Sequence, residues 1–562
     1  MDSALAQGQG PSTSKPHLGL VDWRWPGYSL FFLLLLLACY SLKRRKKRPD
    51  HGDTVPYTLP FLRSAIPFVF DGLLFLQNAT RQFPYASTLR VAILRDEAYL
   101  VQGPKNVAEI FHSTHLGVTR AYSLVLKQCF GMDQKAVAAY LADSSGSRHK
   151  PIPGSSPRPR ERISFMTHEN LVSGLLQNGL GPTTERFRTH LTTSLQASVT
   201  GQAWTEGPDL ARFFEHHHGS ALIRAVFGGE ILHQNPDFVR DLWQYDKGVM
   251  SLARRLPWFC IPKTYRLREK LLAAVRRWHS DAPTGTTAAE AAGEPHRDPG
   301  WATGMMRERY TTLLGANGQD EASVASTDLA FIWASVTNVI PSSMTLALHV
   351  FRSPKLVSSL RSSLSRLQSP TAVQDLETVP LLLSIYAETL RSTVQIHIPR
   401  SAPFNELHVG GVTIPRNKLI LVNTRLSHMD ERVWNTKDGT RPLEQFWAQR
   451  FLVDPSDESS GPTRKRPASA GPGDKAHGHV YFSTDGLEGA WIPYGGGQHA
   501  CPGRVLAKRI MLLSTALLVS TFDVEILADE AALAFDSARF GFGVSKPCRP
   551  IRFRVRRRMQ AL

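Results

Sequence analysis

At 562 residues, 42% apolar and 20% charged, the chain can bury a sizeable core, and it reads as one large domain behind an anchor rather than the roughly three or four domains that length alone would suggest. Its five cysteines, Cys39, Cys129, Cys260, Cys501 and Cys548, are scattered and odd in number, which excludes a disulfide framework or a zinc pattern and suits a cytosol-facing chain. The net charge of +18 is spread over residues 43–48, 148–162, 464–466 and 552–558 with no nucleic-acid module beside them, so anionic lipid and an acidic partner fit better than DNA or RNA.

Residues 1–25 are polar and rich in Gly, Ser and Pro, and read as a disordered N-terminus. The apolar run at 28–42 is shorter than the about 20 residues of a comfortable membrane span, but Trp25 and Pro26 extend it to the interface, and a basic cluster follows at once. That charge lies on the C-terminal side and no small-residue cleavage site is evident, so 26–42 is expected to be a signal anchor with everything after residue 43 in the cytosol. A basic and proline-containing linker, 43–58, leads to a single domain, 59–562. Residues 60–84 mix proline with aromatic and aliphatic side chains and are expected to pack on the domain surface with little regular structure. Residues 87–101, STLRVAILRDEAYLV, alternate as a hairpin turning at Arg95, Asp96 and Glu97. Segments 143–160, 280–300 and 456–478 read as surface loops without chemistry. His216, His217 and His218 are consecutive, and on a helix they point apart, so a solvated face is expected rather than a metal site.

Residues 328–352 form the longest candidate helix and carry Pro341 inside it. Proline removes the N–H that would bond the Thr337 carbonyl, so the helix is expected to open at Thr337 and Asn338, putting polar groups into an apolar wall. Glu388 and Arg391 share a helix face at i and i+3; alone, such a pair is usually solvent-exposed. The stretch 491–504, WIPYGGGQHACPGR, precedes an apolar run in which Leu506, Ile510, Leu513 and Leu517 recur at amphipathic helical spacing. Pro502 suits a first helical position, placing Cys501 at a helix N-terminus where its thiol should be shifted toward the thiolate, as a metal ligand or a nucleophile requires. Gly495, Gly496, Gly497 and Gly503 leave the backbone bare enough to seat something flat. A phosphate loop would need a Lys-Ser/Thr pair that is absent, and zinc would need a second cysteine nearby. A cysteine buried for packing alone would not explain the glycines.

This stretch resembles the heme-binding loop of cytochrome P450 proteins, Phe-x-x-Gly-x-x-x-Cys-x-Gly, with Gly497, Cys501 and Gly503 in register and Tyr494 in place of the usual Phe. The resemblance implies a mainly α fold with small β-sheets and a heme b cofactor, iron protoporphyrin IX, whose iron takes the Cys501 thiolate as its metal ligand. It further implies that His499 and Arg400 hydrogen-bond the heme propionates. Glu388, Arg391 and Arg450 would form a buried ion network, with Ala448 and Gln449 replacing the usual Pro-Glu before that arginine. In the long helix the family carries Ala/Gly-Gly-x-Asp/Glu-Thr; here Thr337 stands for the acid and Asn338 for the alcohol, the two candidate catalytic residues. WASVTNVIP at 333–341 is similar to the same helix in the sterol hydroxylases of bile-acid synthesis and in prostacyclin synthase, and TTERF at 183–187 is more weakly so.

The activity implied is that of a membrane-bound monooxygenase of lipid or secondary-metabolite biosynthesis. It would oxidise a lipophilic small molecule, a steroid, terpenoid or other polycyclic compound, with electrons from NADPH–cytochrome P450 reductase at the endoplasmic reticulum membrane. The missing acid keeps open a heme-thiolate isomerase or dehydratase that acts on a peroxide without a reductase. A heme sensor would have no need of an apolar chamber or an anchor.

Overall fold

The computed structural model describes residues 52–57, 59, 61–280, 301–369, 371–465 and 479–559. The segments expected as disordered N-terminus and signal anchor lie outside the described residues, as do most of the linker and, of the later loops, 281–300 and 466–478.

After the short strand β1 (Asp53–Thr54), the segment expected to lack regular structure folds into two helices, α1 (Ala65–Phe70) and α2 (Gly72–Gln82). Pro67 lies in the first turn of α1, where its missing N–H costs nothing, and the Asp71 side chain caps α2 by accepting from Leu74 N at 3.0 Å. The hairpin follows as β2 (Thr88–Ile93) and β3 (Asp96–Val101). Its turn is Leu94–Arg95 rather than 95–97: Leu94 takes a positive φ of 52°, and Asp96 already pairs with Ile93. Next comes α3 (Pro104–His112), which ends beside the cysteine loop.

The helical body includes α4 (Leu210–Phe227), α5 (Phe238–Ala253), α6 (Glu321–Phe351) and α7 (Pro380–Thr393). Helix α6 starts seven residues earlier than its apolar pattern implies, because Asp320 and Ser323 cap it reciprocally: Ser323 N donates to Asp320 Oδ1 and Asp320 N to Ser323 Oγ, both at 2.8 Å. Among the described residues it is the one helix long and apolar enough to cross a membrane, yet 83% of its apolar window is buried within the protein, as a core helix demands. Of the strands that follow α7, β4 (Val394–Arg400) and β5 (Leu419–Asn423) join the main sheet. Helix α8 (Arg504–Thr521) then packs against α6 and α7, and is buried on every side from Ile510 to Val519 rather than along one stripe. With β6 (Phe542–Val544) the main sheet has the order β1-β2-β3-β5-β4-β6, parallel where β3 meets β5 and antiparallel from β5 through β4 to β6. Among the described residues three smaller sheets complete a mainly helical fold.

The histidine triplet lies on α4, and the solvated face expected there forms only at His216, which is exposed. His218 is fully buried with its ring stacked on Phe214 at 3.9 Å, and the buried His217 pairs through Nδ1 with Ser194 Oγ at 2.8 Å. The helix is covered on this side by the Leu180–Ser198 helix and by Phe213, so the rings pack as aromatics. Among the described residues no group of three His, Cys, Asp or Glu side chains is placed to hold a metal ion.

Candidate active site

The cysteine loop is pinned by its own backbone. Cys501 N donates to Tyr494 O at 2.9 Å and Gly495 N to Ile492 O at 3.0 Å, with Gly495 and Gly497 at φ values of 71° and 63°. The glycines serve a close approach of protein to protein. A Cβ on Gly496 would lie 2.2 Å from the Phe111 ring, and one on Gly497 1.8 Å from the Phe111 carbonyl. They seat the loop on the end of α3, and only Gly495 and Gly503 face an open space. Helix α8 begins at Arg504, so Pro502 precedes the first helical residue by two positions and Gly503 takes the cap. Burial pushes the Cys501 thiol up, against the pull of the Gly503 N–H and of Arg504. The lowered value expected from a helix terminus is therefore not produced by the protein alone; a cation bound at the sulfur would produce it.

The Cys501 side chain is exposed, but to an internal cavity of about 440 Å³ rather than to bulk solvent. Pro502 and Gly503 line the same wall, while α6 contributes Ala334, Ser335, Asn338 and Ser342. Leu171, Leu175, Leu222, Val226 and Phe331 make the rest mostly apolar. Arg400 lines it too, 4% exposed, donating to Pro399 O at 2.8 Å and Gly496 O at 3.3 Å. It has no carboxylate partner among the described residues, and burial pushes its guanidinium down to about 10. A buried cation without a counter-charge, in a cavity that also holds an open cysteine sulfur, fits a flat metal complex bearing carboxylates, as heme is.

His499 is differently placed from what a propionate ligand requires. Its Nε2 donates to Leu116 O at 2.9 Å and its Nδ1 pairs with Ser147 Oγ at 2.9 Å. Burial, then Arg400, hold the ring down at about 4, so it is neutral and both nitrogens are already used. Ser147 belongs to the 143–160 loop, which was expected to carry no chemistry; Asp143 fixes that loop by accepting from Ser145 N and Ser164 N at 2.9 and 2.8 Å.

Helix α6 does not open at Pro341. It runs unbroken through Thr337 and Asn338, because the carbonyl that proline leaves without a donor is taken by Arg539 Nη1 at 2.8 Å. Thr337 is fully buried and turned away from the cavity, its hydroxyl donating to Trp333 O at 2.9 Å and accepting from Arg539 Nη2 at 3.2 Å. Asn338 does line the cavity. Its Oδ1 accepts from Val544 N and its Nδ2 donates to Ala334 O, both at 3.3 Å. Of the two candidate catalytic residues only Asn338 faces the space beside Cys501.

Glu388 lies between Arg391 and Arg450, all three fully buried. Arg391 grips it with two bonds of 2.7 and 2.9 Å, and Arg450 Nε lies 3.0 and 3.1 Å from its two oxygens. Trp447 N adds a fourth donor at 3.1 Å, so every lone-pair direction of the carboxylate is met. The network reaches the cysteine loop through His428, whose Nδ1 donates to Arg391 O at 3.2 Å and whose Nε2 accepts from Ile492 N at 3.0 Å. Tyr494 is tied to the same helix, its hydroxyl 3.0 Å from that of Tyr386 on α7.

Comparison with known proteins agrees with this geometry. The Cytochrome P450 family model matches residues 312–553, which include α7, the Glu388 network and the cysteine loop. The chain is 30% identical over 528 residues to cytochrome P450 monooxygenase fsoE of Humicola fuscoatra, covering 91% of this chain and 88% of that one. It is 29% identical over 524 residues to cytochrome P450 monooxygenase efuG of Hormonema carpetanum, covering 90% of each. Cytochrome P450 7A1 of Rattus norvegicus is 27% identical over 330 residues, 56% of this chain and 58% of that one. With matches that run nearly the full length of both chains, and a cavity built around one open cysteine, this protein belongs to the cytochrome P450 family and is a heme b monooxygenase.

Proposed function

We propose that the protein is a membrane-anchored monooxygenase that inserts one oxygen atom into a C–H bond of a lipophilic, polycyclic substrate. NADPH–cytochrome P450 reductase would supply its electrons at the endoplasmic reticulum. The observation that carries this reading is the cavity itself, in which Cys501 and Asn338 share one space whose other walls are largely aliphatic. Bound heme, held through the Cys501 sulfur, would supply the activation of dioxygen. The chain's part is to hold and exclude. Cys501 is the metal ligand, Arg400 the partner of a propionate, and Leu171, Leu222, Val226 and Phe331 keep water from an apolar substrate. Asn338 donates and accepts hydrogen bonds but does not titrate near neutral pH, so it orients a water without being the source of its proton.

Two further observations support the membrane and the substrate class. Helix α1 and its flanks expose Phe61 (74%), Phe70 (81%), Leu62, Ile66 and Leu74, an apolar surface directly after the segment expected to anchor the chain. Among the relatives, cholesterol 7-alpha-monooxygenase of Cricetulus griseus, 26% identical over 330 residues, is named for a sterol.

The test uses membranes from producing cells, a lipid extract from cells lacking the protein, added reductase and isotopically labelled dioxygen. A product carrying one labelled oxygen, formed only with NADPH and sedimenting with the membranes, is the expected result. Conversion without NADPH would favour rearrangement of a peroxide, which the missing acid at Thr337 keeps open, and activity in the soluble fraction would remove the anchor.

A further inference from the structure

Pro341 leaves the Thr337 carbonyl, in the buried middle of α6, without the helix N–H it would otherwise accept. The donor comes instead from a residue remote in sequence. Arg539 bonds that carbonyl and the Thr337 hydroxyl together, while its Nη2 also lies 3.1 Å from Asp246 Oδ1 on α5. Asp246 is itself tied to α6, accepting from Trp333 Nε1 at 2.8 Å, and its other oxygen accepts from Lys546 Nζ at 2.8 Å. One turn of the helix is thus held at both ends, by Trp333 and by Thr337. The same segment of chain runs on to β6, where Val544 N bonds Asn338 Oδ1. Gly543 beside it has no room for a side chain, since a Cβ would lie 2.8 Å from that oxygen.

We propose that Arg539 is a positioning residue for the oxidation: it replaces the hydrogen-bond donor that Pro341 removes, and so fixes the turn of α6 that presents Asn338 to the cavity. The inference rests on the reading of Asn338 given above. Without the guanidinium, a buried carbonyl has no donor, and the turn relieves this only by twisting toward water. Residue 338 follows the carbonyl directly and moves with it. Arg539→Met keeps much of the side chain's length, and Asp246 retains Lys546 and Trp333 as partners, so no buried carboxylate is stranded.

Two measurements on the purified full-length heme protein need no known substrate. In Arg539→Met, amide hydrogen exchange across residues 335–342 should rise roughly tenfold while the carbon monoxide spectrum is kept. With reductase and NADPH alone, the share of electrons released as hydrogen peroxide rather than water should rise roughly threefold, as it should in Asn338→Ala. Pro341→Ala gives back the missing N–H, so in the Arg539→Met background it should return both readouts toward the parent; a residue that only anchored Asp246 would not be rescued this way. Unchanged exchange in Arg539→Met, or no rescue by Pro341→Ala, overturns the proposal. A normal peroxide share in Arg539→Met overturns it too: if Asn338→Ala is also normal, the reading of Asn338 has failed beneath it, and if Asn338→Ala is high, the failure is confined to Arg539.

Discussion

Two buried carboxylates hold different walls of the cavity, and each sits between two cations. Glu388 lies between Arg391 and Arg450 and steadies the cysteine loop, while Asp246 lies between Arg539 and Lys546 and braces α6. The first cluster is sealed: all three side chains are 0% exposed. The second is open at one edge, because Asp246 is 1% exposed but Lys546 is 23% exposed. The sealed cluster holds a part that must not move, the loop presenting the iron ligand. The open one tolerates adjustment, since Lys546 can turn to water when the carboxylate is lost. Burial makes an ion cluster strong as a lock but intolerant of losing any member.

The difference sets the order of expected effects. Glu388→Ala leaves two fully buried guanidiniums without a counter-charge and should cost about 3–5 kcal/mol, a large part of a typical domain's stability. Denaturant unfolding and heme content both read this, and a folded, heme-loaded Glu388→Ala protein of near-parent stability would remove the distinction between the clusters. Asp246→Asn should cost less, about 2 kcal/mol, because Lys546 is partly exposed and Trp333 keeps an acceptor. It should leave heme content intact; equal losses in the two variants would contradict the comparison.

A second difference appears with pH. Burial, then Arg391, push the His428 ring down to about 3, and burial also holds His349 at about 3 and His217 at about 4. A ring whose folded value lies below its unfolded value of about 6.5 binds fewer protons when folded, so its stability is complete above that pH and is lost as the pH falls toward the folded value. Each such ring contributes a slope of about 1.4 kcal/mol per pH unit in this window. His428→Gln should therefore flatten the fall in Tm between about pH 6.5 and about pH 5. An unchanged slope would mean that His428 is not held neutral between Arg391 and the cysteine loop.

These clusters also show which parts of the site are legible in the sequence. Glu388 and Arg391 are three residues apart on one helix, and Cys501 lies within a contiguous loop, so local spacing displays both. Asp246, Trp333, Arg539 and Lys546 come from separate segments, and a donor for the Thr337 carbonyl could be anticipated from Pro341 only as a need, without saying which residue meets it. The loop glycines were visible, but their purpose was set by Phe111, which the chain brings against them from α3. His499 carried the right identity, yet Ser147 and Leu116 occupy its nitrogens, and neither has a local signature. The hairpin and the long helix followed from alternation and apolar content; α1 and α2 did not, because Pro67 and the aromatics around it hide an Asp71 cap between them.

The most direct test of the central claim, that the cavity at Cys501 is the heme-thiolate site, is the carbon monoxide difference spectrum of the reduced protein. The parent should show the red-shifted Soret band of a thiolate ligand, and Cys501→Ala should lose it while remaining folded by circular dichroism. Retention of that band in a folded Cys501→Ala protein would contradict the account.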